Sequence, residues 1–385
     1  MGIRANNPTG LILSGGGARA AYQVGVLGAI SEILPEKAAN PFDVISGTSA
    51  GALNAAALAA GAWRFSNAVR RLEMVWKNLS SDQVYNLQSG NLLTSASTVV
   101  LNAMSGKAAE QPRSILDNAP LGELLKRVIS FRRIQRNIDL GLLDAVSITS
   151  SAYGSGESVS FYQAMKGIND WHGPHRIGLR TKLTLDHLLA SSALPLLFPA
   201  VKIGTQFYGD GAVRQLAPTS TALHLGARRL LVIGVSGNKE RKADQELPQD
   251  PPGLMHILGH IMNSAFVDTL ENDLESLRHM NDLIPFFNRR ARRQIGYAVH
   301  EVELLEISPS RELNQLAQEH YAELPKALSS YIKPGGAGTL LSLVLFEQGF
   351  CSVLLCINSA MMTRWQRPTT SAGFSTLASA LDLGH

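Results

Sequence analysis

Near its start the chain runs twice from a short apolar stretch, through a turn of small residues, into a helix-forming stretch. Leu11 to Leu13 read as a strand, Gly15-Gly16-Gly17 as the turn, and about Ala18 to Leu34 as a helix. Phe42 to Ile45 read as the next strand, Ser46 to Ser49 as its turn, and Ala50 to about Ala60 as an alanine-rich helix. Strand–turn–helix units in succession predict an α/β protein, with helices packed on a largely parallel or mixed sheet.

The pattern continues further on. Ala145 to Thr149, Val159 to Tyr162, Val201 to Ile203 and Leu230 to Val235 are β-type runs, and Leu185 to Ser192 is a helix capped by Thr184. Residues 86 to 120, rich in small and polar side chains, read as a mobile insertion of the kind that forms a flap over a site. The stretch from Gly237 to Gly253 carries Pro248, Pro251 and Pro252 and reads as a surface connection. Beyond it the sequence predicts a helix over His256 to Met280, a strand over Val302 to Ile307 and a helix over Glu312 to Tyr331. No repeat of solenoid period is present.

Composition narrows the function classes. With 385 residues and 45% hydrophobic content the chain can bury a large core, in one domain or two. Charged residues make up only 17%, which leaves room for apolar surface able to face a membrane. The formal charge is +4, and no basic block with interleaved aromatics suggests nucleic acid. The cluster Arg289, Arg290, Arg292 and Arg293 reads as a solvated face, with anionic lipid headgroups as the alternative contact. Cys351 and Cys356 have no zinc-type spacing, and a reducing, cytoplasmic setting fits. Met1 to Gly10 has no apolar signal core, and Asn6 stands where a myristoylation motif wants Ser or Thr. The apolar stretch Thr339 to Ile357 is broken by Glu347, Gln348 and Gly349, so no transmembrane helix is expected.

Three short motifs carry the chemistry. Gly47-Thr48-Ser49-Ala50-Gly51 fits a nucleophile elbow, where a sharp strand-to-helix turn thrusts a serine hydroxyl into the open and the helix N-terminus favours developing negative charge. The pattern alone is weak, since chance supplies such matches and the serine of a tight turn can merely cap the helix; its place after an apolar run and before a helix-forming run strengthens it. Gly15-Gly16-Gly17-Ala18-Arg19 brings successive backbone amides to one point; the spacing matches neither common nucleotide fingerprint and suits an oxyanion hole, with Arg19 holding the loop or an anionic headgroup. Asp210-Gly211-Ala212 offers a carboxylate on a tight turn, although Asp-Gly by itself is most often a plain hairpin turn. A Ser-His-Asp arrangement needs one of the ten histidines: His300 and His320 follow the acid in order but sit in charged or helical stretches, and His187 and His224 read as packing or surface residues.

In this order the three motifs resemble the patatin-like phospholipases, which combine a Gly-Gly-Gly-x-Arg/Lys loop, a Gly-x-Ser-x-Gly elbow and an Asp-Gly-Gly/Ala turn. Ala190-Ser191-Ser192-Ala193-Leu194-Pro195 with Phe198-Pro199, and Leu216-Ala217-Pro218 to Gly226-Ala227, look like the family's segments around the acidic turn. The resemblance covers about residues 8 to 236 and more loosely reaches Tyr331. It implies a three-layer α/β fold with a central, mostly parallel sheet flanked by helices and a C-terminal helical extension. It implies Ser49 as nucleophile and Asp210 as its base in a dyad, an acyl-enzyme, an oxyanion hole at Gly15, Gly16 and Gly17, elbow glycines Gly47 and Gly51, and no metal or cofactor. The implied substrate is a phospholipid or other glycerolipid met at a membrane surface.

The expected organisation is a catalytic domain over 8–236, a helical extension over 237–335 on the same core, and a tail over 336–385 that matches nothing of the family. Two rival functions stay open at this point: a Ser-His-Asp carboxylesterase, and a non-catalytic lipid-binding protein that keeps the fold.

Overall fold

A computed structural model describes residues 7–87, 114, 116–236, 254–287, 300–325 and 344–365. The chain opens with β1 (Thr9–Leu13), α1 (Ala21–Ile33), β2 (Val44–Thr48), α2 (Ala50–Ala60) and α3 (Phe65–Lys77). A short α4 (Ser81–Val84) and the two-residue strands β3 (Asn86–Leu87) and β4 (Leu116–Asp117) bracket the expected insertion, most of which lies outside the described residues. Then come α5 (Ala119–Val128), α6 (Phe131–Asp139), β5 (Ala145–Ala152), β6 (Ser158–Ala164), β7 (Trp171–Gly173) and β8 (Arg176–Arg180). They are followed by α7 (Leu185–Ser191), β9 (Val201–Ile203), β10 (Gln206–Asp210), α8 (Pro218–His224) and β11 (Arg229–Ile233). The last described elements are α9 (Leu254–Asn263), α10 (Thr269–Leu283), β12 (Glu303–Ile307), α11 (Leu313–Glu319) and α12 (Gln348–Trp365).

The strands form one large sheet in the order β12-β11-β1-β2-β5-β6-β8-β7, with β10 paired to the end of β5 and β9 to β10. From β12 to β5 all pairing is parallel; β6 and β10 run antiparallel to β5. Both expected strand–turn–helix units are present, with β2 shifted two residues later because Ser46, Gly47 and Thr48 continue the ladder with β5.

Side-chain alternation along the parallel strands explains why helices cover both faces. Leu11, Leu13, Ile45, Val146, Ile148, Leu231 and Ile233 point into one core with α1, α2 and α3. Ile12, Val44, Ala145, Leu230 and Val232 point into the other, against Ala222 and Leu225 of α8 and Leu270 and Leu274 of α10. A strand whose successive residues face opposite sides has to be apolar throughout when both sides are covered, which is how these runs read. Each fully buried Leu, Ile or Val contributes about 2 kcal/mol of transfer free energy. The result is the three-layer α/β arrangement expected.

Three differences from the sequence reading are informative. The first expected helix begins as a 3-10 turn, Gly17–Ala20, before α1, because the glycine loop has to turn back over the sheet. The helix expected over Glu312 to Tyr331 stops at Glu319 and passes into a 3-10 turn, Tyr321–Glu323; 326–331 lie outside the described residues. Within the stretch read only as an unspecified tail, α12 packs along α1, and Phe350, Cys351 and Leu354 are fully buried. Among the described residues no helix is long and apolar enough to cross a membrane. The cluster Arg289 to Arg293 and the connection 237–253 lie outside the described residues.

Candidate active site

The site forms where the C-terminal ends of β1, β2 and β5 meet the turns that follow them, the edge where open α/β sheets bind ligands. Ser49 joins β2 to α2 with φ 55° and ψ −129°, a backbone combination sparsely populated by any residue with a side chain. Small neighbours permit it. A Cβ on Gly47 would lie 2.5 Å from the Gly51 carbonyl oxygen, and one on Gly51 would lie 2.2 Å from that of Leu13. Alanines at 52, 55 and 56 then let α2 lie close on the sheet.

The turn aims the Ser49 hydroxyl at the end of β10. Its Oγ donates to Asp210 Oδ2 at 2.6 Å. Asp210 is fully buried, its amide donates to the Ala193 carbonyl at 2.9 Å, and its Oδ1 accepts from the Ala212 amide at 3.0 Å. Burial pushes the carboxyl up to about 7, against the lowering effects of the Ser49 and Ala212 hydrogen bonds. A carboxylate is ordinarily too weak a base for a serine, and desolvation raises its basicity into the neutral range.

Further polar contacts fix the pair. The Ser49 amide donates to Ser191 Oγ at 2.9 Å, and Ser191 Oγ donates to the Thr149 carbonyl at 2.6 Å. Thr48 Oγ1 donates to Gln215 Oε1 at 2.5 Å, and Gln215 Nε2 donates to Thr149 Oγ1 at 3.3 Å, tying the elbow to the turn after Asp210. Sequence reasoning gave Ser191 and Gln215 no role, because their meaning lies in contacts across more than a hundred residues.

The glycine loop lies beside the serine: a Cβ on Gly15 would stand 3.1 Å from Ser49 Cβ, and Gly17 adopts φ 56°. Arg19 is buried beneath it, with its amide and its Nε both donating to the Gly16 carbonyl, at 3.1 and 3.3 Å. Desolvation lowers the guanidinium to about 10, offset in part by the charge of Glu312. That burial suits the loop-anchoring role of the two expected and takes the side chain out of a headgroup's reach.

The described histidines lie elsewhere. His187 Nδ1 accepts from the Thr184 amide at 3.1 Å in the cap of α7, and burial lowers its pKa to about 4. His320 Nδ1 sits 2.6 Å from Glu323 Oε1, below the start of α12. No described histidine hydrogen-bonds to Ser49 or Asp210.

From Ser49 and Gly17 an apolar slot runs between α2, α3 and α5. Leu53 and Ala57 line it from α2, Leu72, Val75 and Trp76 from α3, and Leu121, Leu124, Leu125 and Val128 from α5. Such a cleft takes an extended hydrocarbon and offers a charged or sugar-like group almost nothing to bind.

Residues 11–223, more than half of the chain, match the model of the patatin-like phospholipase family. The chain belongs to that family. Membership makes it a hydrolase of lipid esters, as its three motifs led one to expect. Among solved structures, VipD from Legionella pneumophila is similar at 13% identity and a TM-score of 0.32, over 91% of this chain and 67% of that one. The type III effector ExoU is similar at 16% identity and 0.29, over 98% and 68% of the two chains. The ExoU–SpcU complex from the type III secretion system of Pseudomonas aeruginosa gives 16% and 0.27, over 97% and 74%. No curated protein matches the chain. The patatin-like assignment rests on the match over residues 11–223.

Proposed function

We propose that this patatin-like protein cleaves fatty acyl esters of membrane phospholipids or other glycerolipids through a Ser49–Asp210 dyad and an acyl-enzyme. The observation that carries the reading is the 2.6 Å hydrogen bond from Ser49 Oγ to a buried carboxylate at the opening of an apolar slot. Asp210 takes the Ser49 proton as Oγ attacks the ester carbonyl, and the proton passes to the departing alcohol. Asp210 then takes a proton from water, whose oxygen attacks the acyl carbonyl, and Ser49 leaves with that proton. Amides of the Gly15 to Gly17 loop and the N-terminus of α2 face the developing oxyanion, each well-placed donor contributing about 3 kcal/mol. The Ser49 amide is already engaged by Ser191, so the donors come from its neighbours.

Peripheral membrane contact belongs to the same reading. Tyr153, Leu196, Phe207 and Leu216 are exposed apolar side chains on segments adjoining the site. Leu196 follows the turn that receives the Asp210 amide, and Leu216 follows Gln215. Leu196 holds φ 69°, a strained way to present a leucine to solvent.

The test is turnover of phospholipid vesicles by the wild type, Ser49→Ala and Asp210→Asn, together with fluorophosphonate labelling of Ser49. Loss of turnover is expected in both variants, each still showing a cooperative melting transition. An active Ser49→Ala protein overturns the reading. Abolition by a histidine substitution with Asp210→Asn still active would instead point to a Ser-His-Asp esterase, and an unlabelled, inactive wild type to a binding protein.

A further inference from the structure

The family match ends at residue 223, yet a side chain far beyond it lines the same slot as Ser49: Phe346. Its ring stacks on Trp76, with centroids 6.4 Å apart and planes at 27°, and meets Tyr85 edge-on at 6.5 Å. We propose that the segment from Val344 to Leu355 builds one wall of the acyl slot and that Phe346 sets which acyl chains the enzyme accepts. This deepens the lipid-hydrolase reading and rests on it.

The wall is held from both sides. Tyr85 Oη donates to the Val344 carbonyl at 3.1 Å, and the Ser81 amide donates to Glu347 Oε1 at 3.3 Å, so contacts with the α4 region bracket Phe346. Behind it α12 seats deeply on α1: a Cβ at Gly25 would lie 2.4 Å from the Leu355 carbonyl oxygen, an approach only glycine allows. Glu323 Oε2 accepts from the Phe350 amide at 3.1 Å at the start of that helix. A segment fixed by hydrogen bonds and a fully buried helix face holds its aromatic ring in place, as selection by shape requires.

The slot's chemistry agrees with a hydrocarbon ligand at this wall. Its Asn54 side chain is already satisfied, accepting from Trp76 Nε1 at 2.9 Å and donating to Gln23 Oε1 at 3.1 Å and the Ala20 carbonyl at 3.2 Å. An acyl chain lying along Trp76 therefore meets rings and methyl groups, and the ring at 346 limits how far or how broadly it extends. Cutting that ring back opens space beside Trp76 and Tyr85, and enlarging it closes space.

The full chain and its Phe346→Ala, Phe346→Leu and Phe346→Trp variants are assayed on p-nitrophenyl esters from butyryl to palmitoyl, with melting curves to verify folding. The expected result is a roughly tenfold rise in the palmitoyl-to-butyryl ratio of kcat/KM for Phe346→Ala, and a fall for Phe346→Trp. A chain-length profile superimposable on the wild type's overturns the proposal, with Phe346→Leu deciding if the alanine variant does not fold. The same proteins are titrated with palmitate and decanoate by calorimetry, a readout that needs no turnover. If the wild type hydrolyses none of the esters, the hydrolase reading fails on its own, and the wall is judged by binding: a tenfold loss of palmitate affinity in Phe346→Trp supports it. Unchanged affinity, or no binding by the wild type, overturns it.

Discussion

Asp210 divides its carboxylate between two partners, Oδ2 accepting the Ser49 hydroxyl at 2.6 Å and Oδ1 the Ala212 amide at 3.0 Å. The second contact fixes the plane of the carboxylate, so that the first points at the Ser49 hydroxyl. Asp210→Asn keeps the shape and removes the proposed base. The expected outcome is a fall in kcat of roughly a thousandfold with KM changed little. In the wild type, kcat/KM should rise with pH through about 7 and level off above it, because only the ionised carboxylate accepts the proton. A pH–rate profile already flat below about pH 5 would remove Asp210 from that role.

The same carboxylate couples stability to pH in the opposite sense. Its folded value of about 7 lies above the ordinary 3.8, so the fold favours the protonated form. Its contribution to stability is complete below the unfolded value and is lost as pH rises through about 7. Asp210→Asn carries no such dependence. It should melt several degrees above the wild type near pH 8 and close to it near pH 4, as read by calorimetry across pH. An equal difference at both pH values would contradict the burial argument.

How legible this was in the sequence depended on how local each feature is. The elbow could be read because Gly47, Ser49 and Gly51 act within one turn, after an apolar strand and before an alanine-rich helix. Pairing Ser49 with Asp210 was not derivable from spacing, since 161 positions separate them; the order of three motifs resembling a family supplied it. Ser191, Gln215 and Phe346 were illegible as site residues, because a common serine, glutamine or phenylalanine has no local signature. Their positions follow from α7, the turn after β10 and the segment leading into α12 arriving together. The strands β7 and β8 escaped notice because Trp171–Gly173 is very short and Arg176–Arg180 is a five-residue run bounded by arginines.

Ser191 links the backbone of Ser49 to the sheet, accepting from the Ser49 amide and donating to the Thr149 carbonyl. Ser191→Ala leaves the Ser49 amide buried without that partner, which costs about 1–3 kcal/mol and loosens the strained elbow. The expected signature is a fall in kcat of about tenfold, with chemical denaturation showing a matching loss of stability. Wild-type turnover in a fully folded variant would show that α2 alone suffices to hold the serine.

A buried hydrogen-bonded chain runs from the slot to the glycine loop: Trp76 Nε1 donates to Asn54 Oδ1, Asn54 Nδ2 to Gln23 Oε1, and Gln23 Nε2 to the Ser14 carbonyl at 2.8 Å. Ser14 immediately precedes Gly15, so Gln23 positions the loop proposed to face the oxyanion. Gln23→Leu preserves volume and removes the hydrogen bonds to Asn54, to the Ser14 carbonyl and to the Ile233 carbonyl. It should lower kcat by about tenfold while KM stays near the wild-type value, since the loop acts on the transition state more than on the bound ester. A rise in KM alone would assign Gln23 to the slot instead.

Two glycines of the same chain should respond to alanine with opposite signs. At Gly51 the added Cβ would lie 2.2 Å from the Leu13 carbonyl oxygen and 2.5 Å from that of Ser14. Both are backbone atoms of the central strand and the start of the glycine loop, so relief requires α2 to lift and carry Ser49 away from Asp210. Gly51→Ala should therefore cost several kcal/mol and abolish turnover, in line with overpacked core sites that strain the backbone. At Gly122, inside α5, the nearest atom to the added Cβ is Leu189 Cδ1 at 3.7 Å, an ordinary contact. There the smaller backbone freedom of alanine in the unfolded chain should dominate and raise stability by about 0.5–1 kcal/mol. Paired urea titrations with activity assays test both; a harmless Gly51→Ala would mean that the elbow tolerates a side chain the geometry forbids.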